Sequence, residues 1–84
     1  MLAKGQVVRS LAGRDKNSLM AVTDSDELFV YVADGRERRL SSPKRKNPRH
    51  IADMHTAITD IQMQSDKALR KALAVIEADN EKRR

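Results

Sequence analysis

"KGQVVRSLAGRDKNSLMAVTD", residues 4–24, holds two β-rich runs joined by a polar loop. The first run, Gln6–Ser10, begins directly after a glycine, and the second run, residues 18–24, leads into the polar cluster DSDE. Glycine, aspartate and asparagine in the intervening AGRDKN favour a turn, because each of them tolerates the backbone angles that turns need. The stretch therefore predicts two adjacent short strands with a loop between them.

Three further segments extend this pattern along the chain. LFVYVAD, residues 28–34, is rich in β-branched and aromatic residues and predicts a third strand. The pair Asp34-Gly35 is typical of a hairpin turn, after which RERRL, residues 36–40, is predicted to return as a fourth strand. NPRHI, residues 47–51, is predicted as a fifth strand at a sheet edge, because Pro48 lacks a backbone donor. Short strands at this spacing indicate a mainly β fold, either a small barrel or a sandwich.

The C-terminal part of the chain has a helical pattern instead. Ser65 is a candidate N-cap, and apolar residues recur at helical spacing on one face, at Leu69, Ala72, Leu73 and Ile76. We interpret this stripe as a surface that packs on the chain's own β-domain. The predicted organisation is a β-domain over residues 1–52, a connector over 53–64, where strand and helix signals conflict, and a helix with a frayed tail over 65–84.

Positive charge is concentrated in the middle of the chain. The 84 residues carry a net charge of +5, and residues 36–50 alone hold seven basic residues and one acidic residue. Such a focused positive field attracts phosphate polymers or anionic surfaces. Two plainer interpretations are a solvated, disordered charge run and, for PKRK, a nuclear import signal.

The segments AGRDKNSLMAV, VYVADGRERRL and PKRKNPRHI, in this order, resemble the small bacterial KOW-domain RNA-binding proteins. These are similar to the KOW-bearing large-subunit ribosomal proteins of archaea and eukaryotes, of the fourteen-e type. Gly13 occupies the position of the glycine of the KOW motif. Asn17 departs from the family, which usually has a second glycine there, but asparagine tolerates the left-handed conformation. The resemblance covers about residues 3–51 and implies a small SH3-like barrel.

The resemblance also implies binding to RNA, in particular to ribosomal RNA, with ribosomal proteins as further partners. Gly13, Asn17 and Gly35 are then structural turn residues. The candidate RNA-binding residues are the basic side chains of the loop and of the central segment, together with one histidine: Arg14, Lys16, Arg36, Arg38, Arg39, Lys44, Arg45, Lys46, Arg49 and His50.

The residue types indicate how RNA would be contacted. Arginine and lysine suit a phosphate backbone, whereas reading of unpaired bases usually needs aromatic side chains. The chain has only Phe29 and Tyr31, which share one face of a strand, and at least one of them is expected in the core. We therefore expect recognition of RNA shape and phosphate, although an arginine can also stack on an unpaired base.

Other classes of function are disfavoured by the residues present. The chain has no cysteine, and its two histidines form no zinc-ligand pattern or nucleophile motif, so we expect neither an enzyme nor a cofactor, metal or small-molecule substrate. Without an apolar spanning run or an insertable face, a cytoplasmic protein with no membrane partner is expected. The alternative hypothesis is a protein-binding adaptor that recruits an acidic partner through the β-domain and the C-terminal helix.

Overall fold

The computed structural model of the chain describes residues 2–82. This part contains one five-stranded antiparallel sheet with strand order β4-β3-β2-β1-β5, followed by one α-helix. The elements are β1 (Gln6–Ser10), β2 (Leu19–Ser25), β3 (Val30–Ala33), β4 (Lys44–Lys46), β5 (Ile51–Ala57) and α1 (Asp66–Lys82), with single 3-10 turns at Pro48–His50 and Ile61–Met63. The predicted mainly β class with a C-terminal helix is confirmed. The sheet is compatible with an SH3-like barrel, although β4 and β5 do not pair within the described residues.

The sheet separates two hydrophobic clusters. The inner cluster contains Val8, Met20, Val22, Val30, Val32 and Ile51. The outer cluster joins Val7, Leu19, Ala21 and Ala33 of the sheet to Leu69, Ala72 and Leu73 of α1. Neighbouring residues of a strand therefore belong to different clusters, as expected when successive side chains point to opposite faces. Burial on both faces explains why β1 and β2 contain consecutive apolar residues rather than a strict alternation.

Helix α1 begins as the sequence predicts and covers the outer face of the sheet. The Ser65 side chain accepts a hydrogen bond from the Ala68 N–H at 3.1 Å, which makes Ser65 the N-cap. Leu69, at 0% exposure, is central to the buried stripe. The predicted packing of the stripe on the chain's own sheet is confirmed. The tail predicted to fray lies partly outside the described residues, at Arg83 and Arg84.

Polar contacts fix the orientation of α1 on the sheet. The Arg9 guanidinium donates to both carboxylate oxygens of Glu77, at 3.1 and 2.6 Å. At the other end of the helix, Asp66 Oδ1 accepts from the Leu40 N–H at 2.8 Å, and Arg70 donates to the Gly35 carbonyl at 2.9 Å. The helix thus contacts both the sheet and the β3–β4 loop, residues 34–43.

The prediction of a tight Asp34-Gly35 hairpin with a return strand at residues 36–40 is wrong. The Asp34 carboxylate instead accepts from the backbone N–H groups of Arg36 and Arg38, at 2.8 and 3.0 Å. The Arg38 carbonyl in turn accepts from the N–H groups of Asp34 and Gly35. These local hydrogen bonds replace a strand ladder, so the segment forms a loop, and the returning strand is β4 at Lys44–Lys46.

The fifth strand and the connector also differ from the prediction. Asn47 accepts from the Arg49 N–H and Pro48 starts the turn, so residues 48–50 form a 3-10 turn rather than a strand. Strand β5 then runs from Ile51 to Ala57 and pairs with β1, so the β-domain extends beyond residue 52 into the stretch predicted as a connector. Within residues 2–82, no helix is long and apolar enough to cross a membrane.

Candidate nucleic-acid interface

The β1–β2 loop, residues 11–18, is closed by two residues with positive φ. Gly13 has φ +86° and Asn17 has φ +75°. The Ser18 N–H donates to the Asp15 carbonyl, and the Asn17 N–H donates to the Ser10 carbonyl. Asparagine is one of the few non-glycine residues that adopt this conformation readily, so the loop closes without a second glycine. The loop exposes Arg14 and Lys16 at one end of the sheet.

Lys46, one of the candidate RNA-binding residues, is buried, and its ammonium group is used within the protein instead of facing a ligand. Its side chain is only 5% exposed. Its Nζ lies 2.8 Å from each of three oxygens: Asp15 Oδ1, Ser10 Oγ and the Ala12 carbonyl. Lys46 is paired in register with Val30 of the inner cluster, which explains why its side chain turns inward. Its charge ties the edge strand β4 to the β1–β2 loop.

Asp15 is the carboxylate that balances this buried charge. Burial alone would raise its pKa, but hydrogen bonds from Lys46 and Ser10 and the charges of Lys46 and Lys44 lower the pKa of Asp15 to about 2. Lys44 adds a longer contact, with its Nζ 3.4 Å from Asp15 Oδ2. Asp15 therefore does more than form a turn, because it anchors two lysines of β4.

Four of the candidate residues do come together around one cleft. The basic cleft, as we call it, has a volume of about 410 Å³ and lies between the β1–β2 and β3–β4 loops. Its cationic lining residues are Arg14, Arg36, Arg38 and Lys44. The carboxylates of Asp15, Asp34 and Glu37 also line the cleft. Asp15 forms ion pairs with the two lysines of β4, and Asp34 accepts hydrogen bonds from backbone N–H groups.

The three arginines of the basic cleft are free to meet a ligand. Within residues 2–82, the side chains of Arg14, Arg36 and Arg38 form no ion pair. All three residues are exposed. Guanidinium groups in this state offer paired donors with the geometry that a phosphate group accepts.

Arg45 lies on the opposite face of β4 from Lys44 and Lys46. Its guanidinium carbon is 4.4 Å from the centroid of the Phe29 ring, within the range of a cation–π contact. It is paired in register with Tyr31 of β3. We call Phe29, Tyr31 and Arg45 the outer aromatic group. The expectation that one of the two aromatic residues belongs to the core was wrong, since neither is in a buried cluster.

The remaining candidates are exposed but lie outside the basic cleft. They are Lys16 in the β1–β2 loop, Arg39 in the β3–β4 loop, and Arg49 and His50 in the 3-10 turn before β5. Sequence reasoning also missed that Phe29 and Tyr31 are half-buried residues outside both core clusters. The signal was present, because Val30 and Val32 alternate with them, and two valines that face the core leave the aromatic side chains outside.

Neither the scan against protein-family models nor the comparison with curated proteins gives a match for this chain.

Proposed function

We propose that the protein binds structured RNA through phosphate contacts made by the basic cleft. The observation that carries this proposal is that two separate loops bring Arg14, Arg36 and Arg38 to one concave surface, where none of the three has an ion-pair partner among residues 2–82. Arginine forks that lack an internal partner favour an external anion with closely spaced oxygens. A phosphate backbone supplies such oxygens at regular intervals.

The support beneath the basic cleft favours a preformed binding surface. The Lys46–Asp15 contact joins β4 to the β1–β2 loop, and the Asp34 hydrogen bonds shape the β3–β4 loop. Both loops are therefore held by internal contacts before any RNA arrives. A preformed site loses less conformational freedom on binding than a disordered charge run would.

Ribosomal RNA is the RNA class that we propose, with association of the protein with the ribosome and with translation in the cytoplasm. This part of the proposal is supported by the resemblance of residues 3–51 to KOW-domain proteins. Crosslinking in cells followed by sequencing of the attached RNA tests it. Enrichment of one ribosomal RNA helix is the expected result, and a diffuse spread over unrelated RNAs would contradict it.

The binding surface is tested with two triple variants of equal charge. Arg14→Ala, Arg36→Ala and Arg38→Ala together empty the basic cleft, whereas Lys4→Ala, Lys67→Ala and Lys71→Ala remove three exposed lysines elsewhere. We expect the cleft variant to bind an RNA hairpin at least tenfold more weakly than wild type in fluorescence anisotropy, while the control loses at most about threefold. Equal losses would show that net charge alone decides binding.

The adaptor hypothesis receives less support from the structure. In that hypothesis the C-terminal helix helps to recruit the partner, but the apolar stripe of α1 packs against the chain's own sheet. A pull-down with and without nuclease treatment separates the two functions. A partner protein retained after nuclease treatment would favour the adaptor.

A further inference from the structure

The outer aromatic group is fixed by one turn and one strand register. The Asp26 Oδ1 accepts from the backbone N–H groups of Leu28 and Phe29, both at 2.8 Å. Its Oδ2 accepts from the Tyr31 hydroxyl at 3.1 Å. A single carboxylate thus positions both aromatic residues, and the ring of Phe29 in turn carries the Arg45 guanidinium.

The electrostatics of this group favour a base over a phosphate. Hydrogen bonds from the Phe29 and Leu28 N–H groups hold the pKa of Asp26 below its usual range, so the carboxylate is charged at neutral pH. A negative charge beside Arg45 disfavours a second anion there. A flat, neutral ring has no such penalty, and guanidinium planes stack on nucleobases.

The outer aromatic group is also close to the basic cleft along the chain. Arg45 follows Lys44 on β4, and Lys44 lines the cleft. Successive side chains of a strand point to opposite faces, so Lys44 and Arg45 lie on different faces of the sheet. No strand follows β4 on its outer side, because β4 is an edge strand of the described sheet. The cleft and Arg45 are therefore separated by the width of one edge strand.

We propose that one unpaired nucleobase of the bound RNA stacks on Arg45 at the outer aromatic group. This inference rests on the proposed function and adds a base-binding site to a surface that otherwise contacts phosphate. The ligand class is structured RNA with a bulged or flipped-out nucleotide beside the helix held in the basic cleft. Phe29 and Asp26 act as positioning residues for the stacking plane.

The test compares three RNA hairpins that differ at one position: fully paired, with a single-nucleotide bulge, and with an abasic bulge. We expect wild type to prefer the bulged hairpin over the paired hairpin by about tenfold, within the range measured for stacked bases. The abasic bulge keeps the flexible backbone without the base, so the preference should disappear with it.

Two variants locate the preference on the protein. Arg45→Lys keeps the charge but removes the planar group, and Phe29→Leu keeps an apolar side chain but removes the ring. Both should reduce the bulge preference to below about threefold. Arg36→Lys is the matched control, because it weakens a phosphate contact to both hairpins and leaves their ratio unchanged. Thermal unfolding checks that each variant is folded. Should Phe29→Leu not fold, Arg45→Lys decides the result, since its side chain is exposed.

The inference is overturned if Arg45→Lys retains the bulge preference, if the abasic bulge is preferred equally, or if wild type shows no preference. After any of these results the proposed function still stands, provided that the cleft variant binds the paired hairpin more weakly than its charge-matched control does. The proposed function fails separately if those two triple variants bind the paired hairpin alike.

Discussion

Lys46 lies in the most basic segment of the chain, yet it is only 5% exposed and its ammonium group contacts three oxygens. A lysine is seldom fully buried unless its charge is paired and its donors are used. Composition alone cannot distinguish it from Lys44 and Arg45, its neighbours. The distinction arises from β4, since alternation along a three-residue strand turns Lys46 inward and Arg45 outward.

We predict that Lys46→Ala lowers the free energy of unfolding by about 3 kcal/mol, because it leaves the Asp15 carboxylate partly buried and without its main partner. Urea denaturation measures the change. Arg49→Ala serves as the control, since Arg49 is exposed in the 3-10 turn and should change stability by less than about 0.5 kcal/mol. Equal stability of the two variants would contradict the structural role of Lys46.

The same ion pair predicts a defined acid sensitivity. The pKa of Asp15 is lowered from 3.8 to about 2, so its contribution is present above about pH 4 and is lost as the pH falls toward 2. From this shift, the contribution is about 2 kcal/mol. The stability difference between wild type and Asp15→Asn should therefore shrink by about this amount between pH 5 and pH 2. A difference that stays constant over this range would exclude the ion pair as its source.

At the scale of the elements, β1, β2 and α1 follow from local patterns in the sequence. β1 and β2 are short β-rich runs bounded by turn residues, α1 has apolar residues at helical spacing, and Ser65 marks the start of the helix. The β3–β4 loop does not follow from them, because its shape depends on the Asp34 side chain and on the distant Asp66. Local propensity cannot predict the hydrogen bond from the Leu40 N–H to the Asp66 carboxylate, because the two residues are far apart in the sequence.

Gly35 provides a test of how the helix meets this loop. Its φ is +79°, and a Cβ at this position would collide with the Asp66 carbonyl oxygen in the first turn of α1. Gly13 has a similar φ of +86°, but a Cβ there would meet no atom closer than 3.6 Å. We predict that Gly35→Ala destabilises the protein by at least about 1 kcal/mol more than Gly13→Ala, because only the former adds a steric clash to the backbone strain of about 1–2 kcal/mol. Thermal or urea unfolding of both variants measures this. Equal losses would mean that the helix shifts freely away from the loop.

At the scale of the whole molecule, the segregation of charge was visible in the sequence, but its division between surfaces was not. The predicted cluster separates into the basic cleft, the buried Lys46, the outer aromatic group and scattered exposed residues. The returning strand was predicted at residues 36–40, whereas it lies at Lys44–Lys46. The alternation of inward and outward side chains was therefore not assigned to the residues that show it.

The number of cationic residues that line the basic cleft predicts the salt dependence of RNA binding. With about four phosphate contacts, the logarithm of the affinity for duplex RNA should fall against the logarithm of the salt concentration with a slope of about −3 to −4. Anisotropy titrations between 50 and 300 mM salt, roughly the range in which counterion release is measured, give this slope. The triple cleft variant should reduce its magnitude by about 3, and a slope near zero for wild type would contradict phosphate recognition.

The open sheet has a further consequence for the behaviour of the chain in concentrated solution. Its two edge strands carry unpaired backbone groups, which in other proteins invite strand exchange between molecules. Strand β4 is only three residues long and consists of basic residues. Strand β5 is interrupted near His55, where φ is +57° and the register with β1 shifts. The shortness of β4, the exposed Arg45 at its centre and the local kink in β5 all oppose growth into fibrils. The two edge strands thus help to keep copies of the protein apart.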